Sequence, residues 1–451
     1  MRPGPMKVGP GFFIFASGDF FGERFLMFET GTVRKREKRK DLANFSGPIH
    51  SGLASHFGAG GSRYSQTEYS PLNAFLPSHL AAWIPHVIRY WFQEKYPFRD
   101  YRTPGKGNGI YSIEDRATLS LVGDWGTGTD EAQEVANCVQ KFAPDFSIHL
   151  GDIYFVGGET EIRENYLGEK TSPYAPVKWP VGKKGSFALS GNHEMYARGR
   201  GYYAELLPRM GLRNPDSDWG TGQWASFFCL ENQYWRIVGL DTAYDGTQFD
   251  WGRMPLFKRN KWIRTSVGFK PRCALPQPML AWLKDIVNPE GDNRGLILLT
   301  HHGCYSAFGE WYQIPARQLA SIVRRPVLWF WGHEHKLAIY DKYAVPGGIE
   351  AYGRCIGHGG MPVERGCEPD IECPWLAWDN RRYENGEKVD VGYNGYVNLS
   401  FEGPSLHVEY RDLHCSLLFT EDWSIDTLSG SLEGPHLKKV LHDPSLHLRY
   451  P

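Results

Sequence analysis

A chain of 451 residues is long enough for one large catalytic domain with additions, or for two domains. Apolar residues make up 41% and charged residues 22%, which excludes a globally disordered chain. The formal net charge of −1 argues against a general polyanion binder, and no apolar run approaches the ~18 residues needed to cross a bilayer.

Near the start, GFFIFAS at 11–17 has weak basic flanking and is soon followed by Asp19 and Glu23, so it does not read as a signal peptide. The expectation is a soluble, cytoplasmic protein with neither a membrane nor a nucleic-acid partner. RKREKRK at 34–40 reads as a solvated run in an otherwise neutral chain. Residues 50–72, rich in Gly and Ser, read as loop. From Pro77 to Tyr96 the spacing of Leu80, Trp83, Ile84, Val87, Ile88, Trp91 and Phe92 predicts a helix. Pro85 would kink this helix or mark its start. Its apolar face is expected to pack on the catalytic domain, and residues 1–115 as a whole read as an extension outside the functional site.

From residue 117 strands alternate with helices. A strand at 117–123 leads to Asp124, and a helix runs from Asp130, taken as its N-cap, to about Phe142. The next strand ends at Asp152, and one at 186–190 leads to Asn192. A strand at 234–241 precedes an irregular stretch to about 275. Helix 278–287 precedes a strand ending at His301 and His302, and helix 315–323 precedes one ending at His333 and His335. Beyond these the chain reads as mainly β, with a hairpin turn at Glu402–Ser405. The connections at 156–185, 195–232, 243–275 and 361–392 are long enough to be functional loops around a cleft. The eight cysteines contain no Cys-x-x-Cys pair and read as buried free thiols, with Cys367 and Cys373 as the pair to test for a bridge.

Five apolar runs therefore end in donors that bind metal: LSLVGDWG, SIHLGD, FALSGNHE, GLILLTHHG and VLWFWGHEH. Carboxylate and imidazole donors suit Zn, Fe, Mn and similar ions. One carboxylate can bridge two ions about 3.5–4 Å apart, the spacing used for in-line displacement at phosphorus. Asp152 is read as that bridge. His193 and His302, beside the donors, are available to neutralise phosphoryl oxygens and protonate a leaving group. Arg198 and Arg200 are candidate phosphate contacts, while His358 in GHGGMP is left unassigned. A nucleotide-binding reading of GDWGTGT fails, because the Gly-x-Gly-x-x-Gly order is absent and the histidine motifs stay unexplained.

The ordered set GDWG, GDIYF, GNHE, HHG and GHEH resembles the calcineurin-like metallophosphoesterase superfamily over roughly residues 117–415. The first motif is similar to that of purple acid phosphatases. The resemblance implies an α/β four-layer sandwich, two mixed β-sheets flanked by helices, with a dinuclear site at the strand ends. It gives one ion to Asp124, Asp152 and His335, and the other to Asp152, Asn192, His301 and His333. His193 would contact substrate and donate a proton, and Asp241 would support a strand end. On this reading the catalytic domain spans 116–415, and 416–451 is a C-terminal tail.

The chain departs from this pattern at two positions. Purple acid phosphatases carry an iron-binding tyrosine three residues after the bridging Asp, where this chain has Phe155. Gly126 stands where most other members carry a His ligand. Tyr154 comes one place early and would point to the opposite face of a continuing strand. The expected cofactor is therefore two divalent ions (Zn, Mn or Fe) and not a purple ferric site. Water, or a ligand from elsewhere such as Tyr154 or His358, would complete the first ion. The expected function is a metal-dependent phosphoesterase acting on a small phosphomonoester or nucleotide. The alternatives are a phosphodiesterase and a non-catalytic binding protein with an incomplete first site.

Overall fold

The structure, a computed structural model, describes residues 84–170, 175–247, 249–258, 261–309, 311–384 and 390–449. The segments 11–17, 34–40 and 50–72 and the expected helical residues 77–83 lie outside them.

In chain order the elements are helix α1 (Ile84–Trp91), strands β1 (Ile110–Ser112) and β2 (Arg116–Val122), and helix α2 (Asp130–Phe142). Strand β3 (Phe146–His149), helix α3 (Glu159–Asn165), strand β4 (Gly185–Ala188) and helix α4 (Asn192–Tyr196) follow. Next come β5 (Gly211–Leu212), β6 (Phe228–Glu231), β7 (Trp235–Gly239), β8 (Phe249–Lys258) and β9 (Lys261–Pro271). Helix α5 (Gln277–Trp282) precedes β10 (Gly295–Thr300), and helix α6 (Gln313–Leu319) precedes β11 (Val327–Trp331). Strands β12 (Leu337–Ala344), β13 (Glu350–Ile356), β14 (Trp375–Asp379) and β15 (Gly395–Glu402) come next. The last are β16 (Ser405–Asp412), β17 (Leu417–Ile425), β18 (Leu432–Lys439) and β19 (Leu446–Leu448).

Two mixed sheets result, a nine-stranded one in the order β1-β6-β7-β10-β11-β13-β12-β14-β19 and an eight-stranded one in the order β18-β17-β16-β15-β2-β3-β4-β5. The runs GLILLT and VLWFW lack polar alternation because both of their faces are covered. Ile297, Leu299, Leu328 and Phe330 meet Leu119, Leu121, Phe146 and Ile148 of the other sheet. Their neighbours Leu296, Leu298, Trp329 and Trp331 instead pack with Met279, Trp282 and Leu319 under α5 and α6. Ala132, Val135 and Val139 of α2 sit in a separate core on the outer side of the eight-stranded sheet. The result is the expected α/β four-layer sandwich. Strands β2, β3 and β4 run parallel, as do β7, β10, β11 and β13, so within each sheet their C-terminal ends share one edge.

A buried ion pair crosses between the sheets. Arg354 on β13 donates to both oxygens of Glu421 on β17, at 2.9 and 2.6 Å, and Tyr410 donates to Glu421 at 2.6 Å. Neither charged side chain is exposed.

Several expectations are corrected. The N-cap of α2 is Thr129, whose side chain accepts from Ala132 N–H, and Asp130 is the first helical residue. Pro85 falls in the first described turn of α1, and the residues before Ile84 lie outside the described ones. Among the described side chains of that region, His86 and Tyr90 face inward, while Ile88 and Phe92 are 57% and 90% exposed. Ile88 and Phe92 are thus not part of a buried face, and the other residues of the expected face lie outside the described side chains. The stretch to 275 is not irregular, since β8 and β9 form a long antiparallel hairpin, the described part of a separate unit.

The 416–451 tail contains β17 and β18 of one sheet and β19 of the other, so no boundary falls at 415. The cysteines are not all free, because Cys138 on α2 and Cys415 are disulfide-bonded across 277 positions. Cys367 and Cys373 remain unbridged. No helix among the described residues is long and apolar enough to cross a membrane.

Candidate metal centre

Each expected donor lies just past the C-terminal end of a parallel strand. Asp124, Asp152 and His333 adopt left-handed backbone, with φ of 57°, 71° and 67°. That conformation costs a non-glycine residue roughly 1–2 kcal/mol, and such strain collects where side chains must be aimed. Neighbouring glycines let the two carboxylates in. A Cβ on Gly191 would lie 2.0 Å from Asp152 Oδ1, and one on Gly332 would lie 2.5 Å from Asp124 Oδ2.

The donors converge. Asp152 Oδ2 lies 3.3 Å from His301 Nε2 and 3.8 Å from His193 Nε2. Asn192 Oδ1 is 3.0 Å from His301 Nε2 and 3.0 Å from His333 Nδ1. Asp124 Oδ1 is 3.6 Å from His335 Nε2. Single donor atoms of Asp124, Asp152 and His301 lie within 4.8 Å of one another, and so do those of His301, His302 and His333.

Hydrogen-bond chemistry says what this arrangement fits. His301 Nδ1 lies 3.0 Å from the Leu150 carbonyl, an acceptor, so the ring proton belongs on Nδ1. In the neutral ring Nε2 is then a lone pair facing Asp152 Oδ2 and Asn192 Oδ1. Buried acceptors that face one another call for a cation. With protons alone, burial would lower the His301 value, but the Asp152 carboxylate raises it to about 9. Burial likewise works against the Asp152 charge, yet His301 and His193 hold its carboxyl well below its ordinary range. A metal cation satisfies the same lone pairs, and the residues present fit one.

Tyr154 corrects the reading from strand alternation. Its hydroxyl donates to Asp124 Oδ1 at 3.0 Å and to Asp152 Oδ2 at 3.3 Å, and lies 3.2 Å from His335 Nε2. The alternation argument fails because β3 stops at His149 and the chain turns at Gly151, whose φ is 99°. The phenol therefore stands among the three donors assigned to the first ion. No side chain fits at Gly126, where a Cβ would lie 2.8–3.0 Å from Ile153.

His193 Nδ1 contacts the Phe155 carbonyl, which turns Nε2 toward Asp152. His302 is fixed by Thr242 Oγ1, 3.0 Å from Nδ1, and packs on His333 with ring centroids 4.5 Å apart. Asp241 Oδ1 accepts from the N–H groups of Ala243 and Tyr244 and so supports that strand end. Glu194 Oε2 accepts from Gly191 and Asp152 N–H at 2.7 and 3.1 Å, and burial raises its carboxyl to about 8.

Arg198 meets the N-terminal segment, its carbonyl accepting from Tyr96 N–H, and Arg200 lies 3.9 Å from Glu159. His358 is buried beside Gly395, its value lowered to about 4 by burial, and neither candidate metal cluster includes it. Sequence reasoning missed Tyr312, whose hydroxyl lies 3.1 Å from His333 Nε2. No spacing signal marked it, because it belongs to a loop.

Residues 118–337 match the family model for calcineurin-like phosphoesterases. Over this stretch the chain is similar to that family. No curated protein matches the chain. Among solved structures, PhoD is 13% identical with a TM-score of 0.41, covering 73% of this chain and 72% of its own. GAP50, the anchor in the inner membrane complex of Plasmodium, is 13% identical with a TM-score of 0.39, covering 70% and 92%. Vacuolar protein sorting 29 from Cryptosporidium parvum is 10% identical with a TM-score of 0.27, covering 69% and 100%. All six donors expected as ligands, from Asp124 to His335, fall inside the calcineurin-like phosphoesterase stretch.

Proposed function

We propose that the chain is a metal-dependent phosphoesterase whose centre holds two ions, with Asp152 between them. Asp124, Asp152 and His335, joined by the Tyr154 phenol, would hold one. Asp152, Asn192, His301 and His333 would hold the other, with His302 beside them. The observation that carries this reading is the convergence of buried acceptors on His301 Nε2, which lies 3.3 Å from Asp152 and 3.0 Å from Asn192.

The ions, when bound, supply a hydroxide nucleophile and draw charge from the phosphoryl oxygens. The protein's own groups do the rest. The Leu150 carbonyl fixes the His301 tautomer. The Phe155 carbonyl keeps the proton of His193 on Nδ1 in the neutral ring, so a proton held on Nε2 is the one available to a leaving oxygen. His302, held by Thr242, faces the same side and suits a phosphoryl oxygen.

The substrate we favour is a small phosphomonoester or nucleotide, and a diester is the competing class. The scaffold reading rested on the positions of Gly126 and Phe155, and the Tyr154 hydroxyl beside three donors weighs against it. A phenol also restores ferric iron as a candidate for the first ion, beside Zn, Mn and Fe(II). Hydrolysis of nitrophenyl phosphate and of its diester analogue, with and without added Mn, Zn or Fe, tests the reading. Metal-dependent release of nitrophenol, faster from the monoester, is expected. No hydrolysis of either ester under any supplement would contradict it.

A further inference from the structure

Helix α1 and the residues after it belong to none of the five metal motifs, yet their contacts lead to His193. His86 Nδ1 lies 3.2 Å from Glu161 Oε1, and the His86 ring packs edge-on against Phe155 with centroids 5.4 Å apart. Glu161 is only 2% exposed. Its other oxygen, Oε2, accepts from the backbone N–H groups of Val156 and Gly158, at 3.1 and 2.9 Å. The loop thus tied down carries the Phe155 carbonyl, which meets His193 Nδ1. Burial would raise the Glu161 carboxyl, but the His86 ring and the two backbone donors outweigh it and hold the group below its ordinary value.

Neighbouring contacts seat the same segment. The Tyr90 hydroxyl donates to Glu159 at 2.8 Å and occupies the space over Gly158, where a Cβ would lie 2.6 Å from it. Tyr96 N–H donates to the Arg198 carbonyl at 2.8 Å, and Tyr96 stacks on Tyr203. Lys95 donates to the Tyr244 carbonyl. Residues 86–96 therefore hold the loops that follow β3, α4 and β7.

We propose that His86 is a positioning residue for His193, acting through Glu161 and the loop that presents the Phe155 carbonyl. The proposal rests on the reading of His193 as proton donor. The direction of Nε2 is set by what Nδ1 bonds to, and a shift of about 1 Å in such a group costs roughly 100-fold in rate. Removing the His86 ring leaves Glu161 buried with backbone partners alone and frees the loop to move.

The test uses the full chain, loaded with Mn, as wild type, His86→Ala, His86→Asn and His193→Ala. Two readouts are taken: hydrogen exchange at the Val156 and Gly158 amides, and kcat on an alkyl phosphate and on nitrophenyl phosphate. A proton donor matters more for the alkyl ester, whose leaving group is the poorer one. His86→Ala is expected to exchange faster at both amides and to lose about tenfold more kcat on the alkyl ester than on the aryl ester. His86→Asn, whose amide nitrogen sits near the position of Nδ1, is expected to restore much of both.

Unchanged exchange, or an equal loss on the two esters where His193→Ala shows an unequal one, overturns the proposal. If His193→Ala itself lowers both esters equally, the acid role has failed and the proposal falls with it. Faster exchange in His86→Ala would then place the failure at His193 and not at the His86 contact.

Discussion

The phenol oxygen of Tyr154 lies 3.0 Å from Oδ1 of Asp124. It also lies within 3.3 Å of Asp152 Oδ2 and His335 Nε2, so one hydroxyl faces three donors drawn from three strand ends. A hydroxyl so placed either bridges the donors as a hydrogen-bond partner or loses its proton to a cation held among them. The second outcome has a visible signature.

Protein loaded with iron under air is therefore expected to show a phenolate-to-iron absorption band in the visible, and Tyr154→Phe to abolish it. The variant should also retain the first ion less well, by a factor of roughly ten. Absence of a band from iron-loaded wild type would mean that Tyr154 is a hydrogen-bond donor to the carboxylates and not a ligand.

The sheets are joined by the buried pair of Arg354 and Glu421. Truncating one partner leaves an unpaired buried charge, so Glu421→Ala should cost about 3–5 kcal/mol of stability, read from the urea midpoint. Replacing both, Arg354→Met with Glu421→Leu, should recover most of that loss. A single variant as stable as wild type would show that water reaches this pair.

Cys138 and Cys415 tie α2 to the turn after β16. Thiol titration of unfolded, unreduced protein should count six thiols, not eight. Reductant should lower stability by about 2–4 kcal/mol in wild type and leave Cys138→Ser unaffected. A count of eight with no response to reductant would contradict the bridge.

The parts of this site that were legible in the sequence share one cause. Strands covered on both faces are written as unbroken apolar runs, so LSLV, GLILLT and VLWFW announce where they stop, and a donor after the stop is conspicuous. The fold class follows from the same runs. Tyr154 was illegible because its orientation depends on the turn at Gly151, while alternation is valid only inside a strand. Cys138 and Cys415 were illegible because a tertiary contact across 277 residues leaves no local mark. Strands β17 and β18 were missed as part of the sheet. LLFTEDWSI and LEGPHLKK face solvent on one side and carry charges and Pro435, so they read as a tail. Among the described side chains of α1, those turned inward are His86 and Tyr90, two polar aromatic residues that an apolar count passes over.

The central claim is that Asp152 serves two ions, and metal content tests it most directly. Elemental analysis of wild type is expected to give about two ions per chain, and of Asp152→Ala fewer than about one, with hydrolysis lost. Two ions and full hydrolysis in Asp152→Ala, or none in wild type after exposure to Mn, Zn and Fe, would contradict it.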